Sequence, residues 1–105
     1  MSGTISFSPT VRWSAASWLF DWVLQSLADA VKDAELAAEL RGVVHENIGW
    51  LGINDLKREH SVEIRDVLMA SLAPAAERSF PVAMPRRQDA LQHLDELIRL
   101  ASDTS

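Results

Sequence analysis

The sequence predicts an all-α fold, a compact four-helix bundle with an extended N-terminal arm. Three observations lead there. Apolar residues recur at helical spacing in four separate segments. The segments follow one another through short connections, as in small bundles. Hydrophobic residues make up 48% of 105 residues, which suits one modest core and excludes a disordered chain. Residues 1–105 are therefore read as one helical domain, with 1–13 as the arm and 102–105 as a frayed polar tail.

The arm reads Thr4-Ile5-Ser6-Phe7-Ser8-Pro9-Thr10-Val11-Arg12-Trp13. Ile5, Phe7, Val11 and Trp13 fall on alternate positions, the period of a strand. Pro9 stands in the same series and has no N–H for a ladder, so the segment is an edge strand or an arm laid across the helices.

The first helix is expected from a Ser14 cap to about Lys32. At about 100° per residue, Leu19, Phe20, Trp22, Val23, Leu24, Leu27 and Val31 span an arc of roughly 200°. That exceeds the stripe of an ordinary surface helix, so this helix is either central or shared with a partner. Trp18 projects into the opposite, polar sector, between Gln25 and Asp29. It is either exposed or covered by the arm folding back, and the covered arrangement is the plainer expectation.

A second helix is expected from an Asp33 cap to about Ile48, with Leu36, Leu40, Val43, Val44 and Ile48 inward. Glu35, Glu39 and Glu46 line another face, and Gly42 on that edge suggests close approach of another backbone or a break. Residues 49–55 read as a turn, with Trp50, Leu51 and Ile53 folded inward and Asp55 able to cap. Trp13 and Trp50 are both expected as core plugs. The third helix begins at Ser61 or Asp55, presents Ile64, Val67, Leu68, Leu72 and Ala75, and is kinked or ended by Pro74. Residues 80–85 read as a Pro-bounded extended linker that can pair with the arm. The fourth helix spans about Arg86 to Ala101, with Ala90, Leu91, Leu94, Leu97, Ile98 and Ala101 inward.

Composition removes whole classes of chemistry. Without cysteine there is no disulfide framework, no thiolate nucleophile and no Cys-ligated metal. A net charge of −5 opposes a phosphate-backbone binder. Lys57, Arg58 and Arg65 beyond the 49–54 turn are interleaved with Glu59, Glu63 and Asp66, so no nucleic-acid partner is expected. Trp13 to Ala28 is too short and polar to span a membrane, and Met1-Ser2-Gly3-Thr4 does not open a secretory signal, so a cytoplasmic location is the default.

Catalytic and metal motifs fail in turn. His45-Glu46-Asn47-Ile48-Gly49 has glycine where a zinc-binding helix needs its second histidine. His93 with Asp89 and Glu96 reads as a helix-surface ion pair, and His60 with Glu59 and Glu63 as a plain surface turn. The pairs Glu35/Glu39, Glu59/Glu63 and Asp95/Glu96 read as solvated faces. No cofactor, metal site or enzymatic activity is expected.

What remains is binding. Trp18 and Trp22 lie four apart with Asp21 beside them, and tryptophan concentrates binding energy at interfaces. The glutamates Glu35, Glu39 and Glu46 suit steering of a basic partner. The expected function is a non-catalytic protein-binding module, of the inhibitor or immunity type, acting on a basic protein through Trp18, Trp22, Asp21, Glu35, Glu39 and Glu46. The alternatives are a homodimeric structural or regulatory subunit joined through the first helix, and a small metal-binding or enzymatic helical protein.

Overall fold

A computed structural model describes residues 2–104. The elements follow in the order β1 (Ser2–Ser8), β2 (Val11–Ala16), α1 (Ser17–Ala30), α2 (Ala34–His45), β3 (Trp50–Gly52), a 3-10 turn (Ile53–Asp55), α3 (Arg58–Ser79) and α4 (Arg87–Asp103). The four helices are present, but the all-α expectation is overturned by a three-stranded sheet in the order β2-β1-β3. The fold is mixed α and β.

The expected arm is a hairpin. Pro9 and Thr10 form its loop, and the Ser8 hydroxyl accepts from the backbone N–H groups of Thr10 and Val11 at 3.3 and 3.1 Å. Proline fixes φ at the start of a turn, so the residue read as a flaw in one strand is the corner between two. A two-residue loop pairs Ser8 with Val11, and that register carried onward would oppose Ile5 to Ser14. The register instead shifts between Ser6 and Ser8, so Ile5 pairs with Trp13 and Gly3 with Ala15. This bulge keeps the odd-numbered residues of both strands on one face. Ile5, Phe7, Trp13 and Ala15 are accordingly all buried.

β1 also pairs in parallel with β3, matching Ile5 to Leu51 and Thr4 to Trp50. It does not pair with residues 80–85. Leu51 and Ile53 are buried as expected, whereas Trp50 is not a core plug. It shares the outer face with Thr4 and is 39% exposed, with the Arg12 guanidinium 5.3 Å from its ring centre.

Helix α1 has no side-chain cap, because Ser14 belongs to β2. Leu19, Phe20, Val23, Leu24, Leu27 and Ala28 are buried in the core that the sheet and the other helices enclose. The wide apolar arc is thus that of a central helix. Asp33 caps α2 through Leu36 N–H at 3.1 Å. Gly42 has nothing near the position of a missing β-carbon, so no backbone approaches it. Helix α3 runs unbroken through Pro74. Pro74 and Ala70, whose carbonyl loses its intrahelical partner, are both exposed, so that carbonyl lies on the solvent side of the helix. The stripe of α3 is His60, Ile64, Leu68, Leu72 and Ala76. Helix α4 buries Ala90, Leu94, Leu97 and Ala101 and extends through Asp103, so Ser102 and Asp103 are helical rather than frayed. Arg65 ties the following Thr104 to α3, and Ser105 lies outside the described residues.

Candidate functional site

Residues 80–86 carry one wall of an open groove at Met84, Pro85 and Arg86. Instead of extending, they make two successive turns. Met84 N–H donates to the Pro81 carbonyl at 2.9 Å, and Arg87 N–H donates to the Met84 carbonyl at 3.2 Å. In the second turn Pro85 is followed by Arg86, whose φ of 58° is the left-handed conformation that position of a type II turn requires. The Arg87 side chain donates to the Phe80 carbonyl at 3.0 Å and pins the base of the segment. Pro81, Val82 and Ala83 remain exposed.

Phe80 is buried, and two tryptophans of α1 pack against it. Trp22 approaches at 4.9 Å between ring centres and Trp18 meets it edge-on at 6.0 Å. Trp22 is half-buried, while Trp18 is 51% exposed. The hairpin does not fold over Trp18. Its Trp13 packs against His93 of α4, and the Trp18 ring stays at the margin of the groove.

The groove has a volume of about 650 Å³. Trp18, Leu19, Met84, Pro85 and Ala90 supply its apolar surface, with the small Ala15 and Ala16 at the end of β2. Arg86, Asp89, Gln92, His93 and Glu96 supply its polar side. Arg86 Nε donates to Asp89 at 3.3 Å, which pairs the one fixed cation of the lining and leaves Glu96 facing His93.

His93 closes one end. Its ring stacks on Trp13 with centres 4.9 Å apart and planes 29° apart. Nε2 lies 2.6 Å from the Ser14 carbonyl oxygen, and Nδ1 lies 3.1 Å from the Glu96 carboxylate. Trp13 Nε1 donates in return to the His93 carbonyl at 2.9 Å. His93 is therefore more than the surface ion pair expected. It clasps an outer strand of the sheet to α4.

The other predicted residues do not gather here. Asp21 accompanies Trp18 and Trp22 on α1. Glu35 instead binds Lys57 at 3.1 Å, just before α3, and this contact raises the lysine pKa. Phe80, on which the tryptophans rest, follows the last residue of α3. A helix of 22 residues is about 33 Å long, so Glu35 and Trp18 mark opposite ends of the molecule. Glu39 is exposed one turn further along α2, and Glu46 follows its last residue.

His60 is buried rather than at a surface turn. Its Nε2 meets Asp33 at 3.2 Å, not Glu59 or Glu63. The Asp33 carboxyl is held below its ordinary pKa of 3.8, chiefly by the N–H of Leu36 and further by His60. Glu63 accepts from Lys32 N–H at 2.6 Å. These contacts fasten the α1–α2 connection to α3. Among the described residues no three histidine or acidic side chains gather to hold a metal ion. No described helix is long and apolar enough to cross a membrane. A second cleft, of about 380 Å³ between α1 and α3, is lined by small residues such as Ser26, Ala30, Ser71 and Ala75 together with Asp29, Val67 and Arg78, and holds no aromatic ring.

Sequence reasoning missed Met84, Pro85 and Arg86 as parts of a site. The available signal was the run Val82-Ala83-Met84 between two prolines, apolar where a plain linker is polar. Compared with protein-family models, curated proteins and solved structures, the chain matches none.

Proposed function

We propose that the protein is a non-catalytic binding module, and that the groove beside Trp18 receives a basic amphipathic segment of a protein partner. The observation that carries this reading is Trp18 itself, half exposed at the margin of an apolar groove with Leu19, Met84 and Pro85. A large rigid ring in this position anchors a partner by burial, and the flexible Met84 adapts to what is bound. Helix-in-groove recognition uses such surfaces. Charge selects the occupant. Asp89 and Glu96 lie in the lining against one arginine, and the chain carries a net −5. Lysine or arginine flanking the apolar anchors of a partner meets this surface favourably. Glu35 and Glu39, at the far end, steer the encounter rather than touch the bound segment. Inhibition of a basic protein is one form that such binding takes.

Self-association through α1 has weaker support. Its motive was the wide apolar arc, and that arc is occupied within the fold.

The test uses retention from lysate of the native host, followed by affinity measurement on the retained partner. Trp18→Ala and Met84→Asp each weaken binding by about tenfold or more, the loss expected of an interface anchor. Glu39→Lys mainly slows association. A partner held equally by all three variants, or a stable dimer that Trp22→Ala disperses, overturns the reading.

A further inference from the structure

We infer that His93 is a proton-operated latch on the Trp18 groove: protonated, it holds Glu96 against α4 and disfavours a basic occupant, and deprotonated it releases that carboxylate to the occupant. The inference rests on the groove being a docking site for a basic segment.

The two contacts of the ring differ in what they require of its protons. The Ser14 carbonyl oxygen can only accept a hydrogen bond, so Nε2 at 2.6 Å carries a proton. The ionised Glu96 carboxylate also only accepts, so Nδ1 at 3.1 Å carries one too. Both contacts are favourable only for the imidazolium. Either neutral tautomer turns a lone pair toward an acceptor. The carbonyl belongs to the sheet and cannot leave, whereas the Glu96 side chain is 63% exposed and can. Loss of the proton therefore keeps the Nε2–H bond to Ser14 and frees Glu96.

The surroundings add no competing switch. The other charged groups of the groove are Asp89 on α4 and Arg86 just before it, bonded to each other. The β2 and α1 residues of the lining, Ala15, Ala16, Trp18 and Leu19, carry no charge, and neither do Met84 and Pro85. The stack on Trp13 holds the ring in place in both states. Deprotonation thus makes the groove more negative by one unit and unties one carboxylate. Imidazole is the side chain that changes charge between about pH 5 and 8.

Two measurements on the intact chain test the latch. The first follows the His93 ring nitrogens, the Glu96 carboxyl, the Trp13 indole N–H and the Met84 methyl by NMR through that pH range. The Glu96 and Met84 signals should move with the midpoint of His93. In His93→Gln, the Glu96 and Met84 signals should lose that midpoint. Glu96 and Met84 signals indifferent to His93 overturn the latch, whatever the groove binds. The second uses a synthetic amphipathic peptide of leucine and lysine as the probe. Affinity should rise about three- to fivefold from acid to alkaline pH, the weight of one partly exposed ion pair. His93→Gln should flatten that dependence, and Glu96→Gln should reduce it to the part carried by the charge of His93 alone. A peptide bound equally well at both ends overturns the latch and leaves the docking site. A peptide bound at neither end overturns the docking site and with it the proposed regulation.

Discussion

Two glycines that look alike in sequence have opposite duties. At Gly3 a β-carbon would lie 2.1 Å from Cγ of Phe20, a ring that is 1% exposed. The absent side chain lets α1 seat Phe20 directly on β1. Gly3→Ala is therefore expected to destabilise the protein by about 1–3 kcal/mol, the range for overpacking a filled core. Thermal unfolding reads this as a clear fall in Tm, and Phe20→Leu in the same background restores part of it. Gly42 has no neighbour at that position and sits inside α2. Gly42→Ala is expected to stabilise by about 0.5–1 kcal/mol, since alanine restricts the unfolded chain and favours the helix. A fall in Tm for Gly42→Ala would mean that α2 needs a close approach there.

At the scale of elements, legibility followed the length of the periodic signal. Four helices of 12 to 22 residues repeat their apolar positions often enough to be recognised, and the Asp33 cap was readable from one side chain. The hairpin was not, because its bulge preserves the odd-numbered alternation across Pro9, so two strands mimic one. β3 has three residues, too few to show any period, and its pairing with β1 is set by contacts distant in sequence. The groove was half legible. Trp18 stood out against its helix, but Met84, Pro85 and Arg86 become a wall only when two turns fold them back, and His93 gained meaning only when β2 existed to be clasped. The Asp33–His60 contact shows the same limit, since it joins α2 to α3 across residues far apart in the chain. Its consequence is a pH dependence with a definite sign. The folded carboxyl of Asp33 lies below its ordinary value, so its contribution is complete above about pH 4 and is lost as pH falls toward the lower folded value. Asp33→Asn keeps an amide oxygen to cap Leu36 but removes the charge. Its Tm should fall less steeply than that of wild type on acidification below about pH 4, where the ordinary carboxyl titrates. Parallel acid limbs would show that Asp33 carries no such share.

The whole molecule separates what holds it from what it offers, and two tryptophans measure that separation. Trp13 is 2% exposed, stacked on His93 and bonded to its carbonyl, so it joins the sheet to α4. Trp18 is 51% exposed and touches Phe80 only edge-on, so it adds little to folding and leaves its area for an occupant. Replacement of these two side chains should therefore have unlike consequences. Trp13→Ala removes a core ring and its hydrogen bond, at about 3–5 kcal/mol, a large share of a small domain's stability. Trp18→Ser should stay within about 0.5 kcal/mol of wild type, as exposed substitutions do. In a chain of 105 residues that difference separates a loss of roughly 15 °C or more in Tm from a change of a few degrees. If Trp18→Ser costs as much as Trp13→Ala, Trp18 belongs to the core. The groove beside it is then a consequence of packing rather than a surface kept open for a partner.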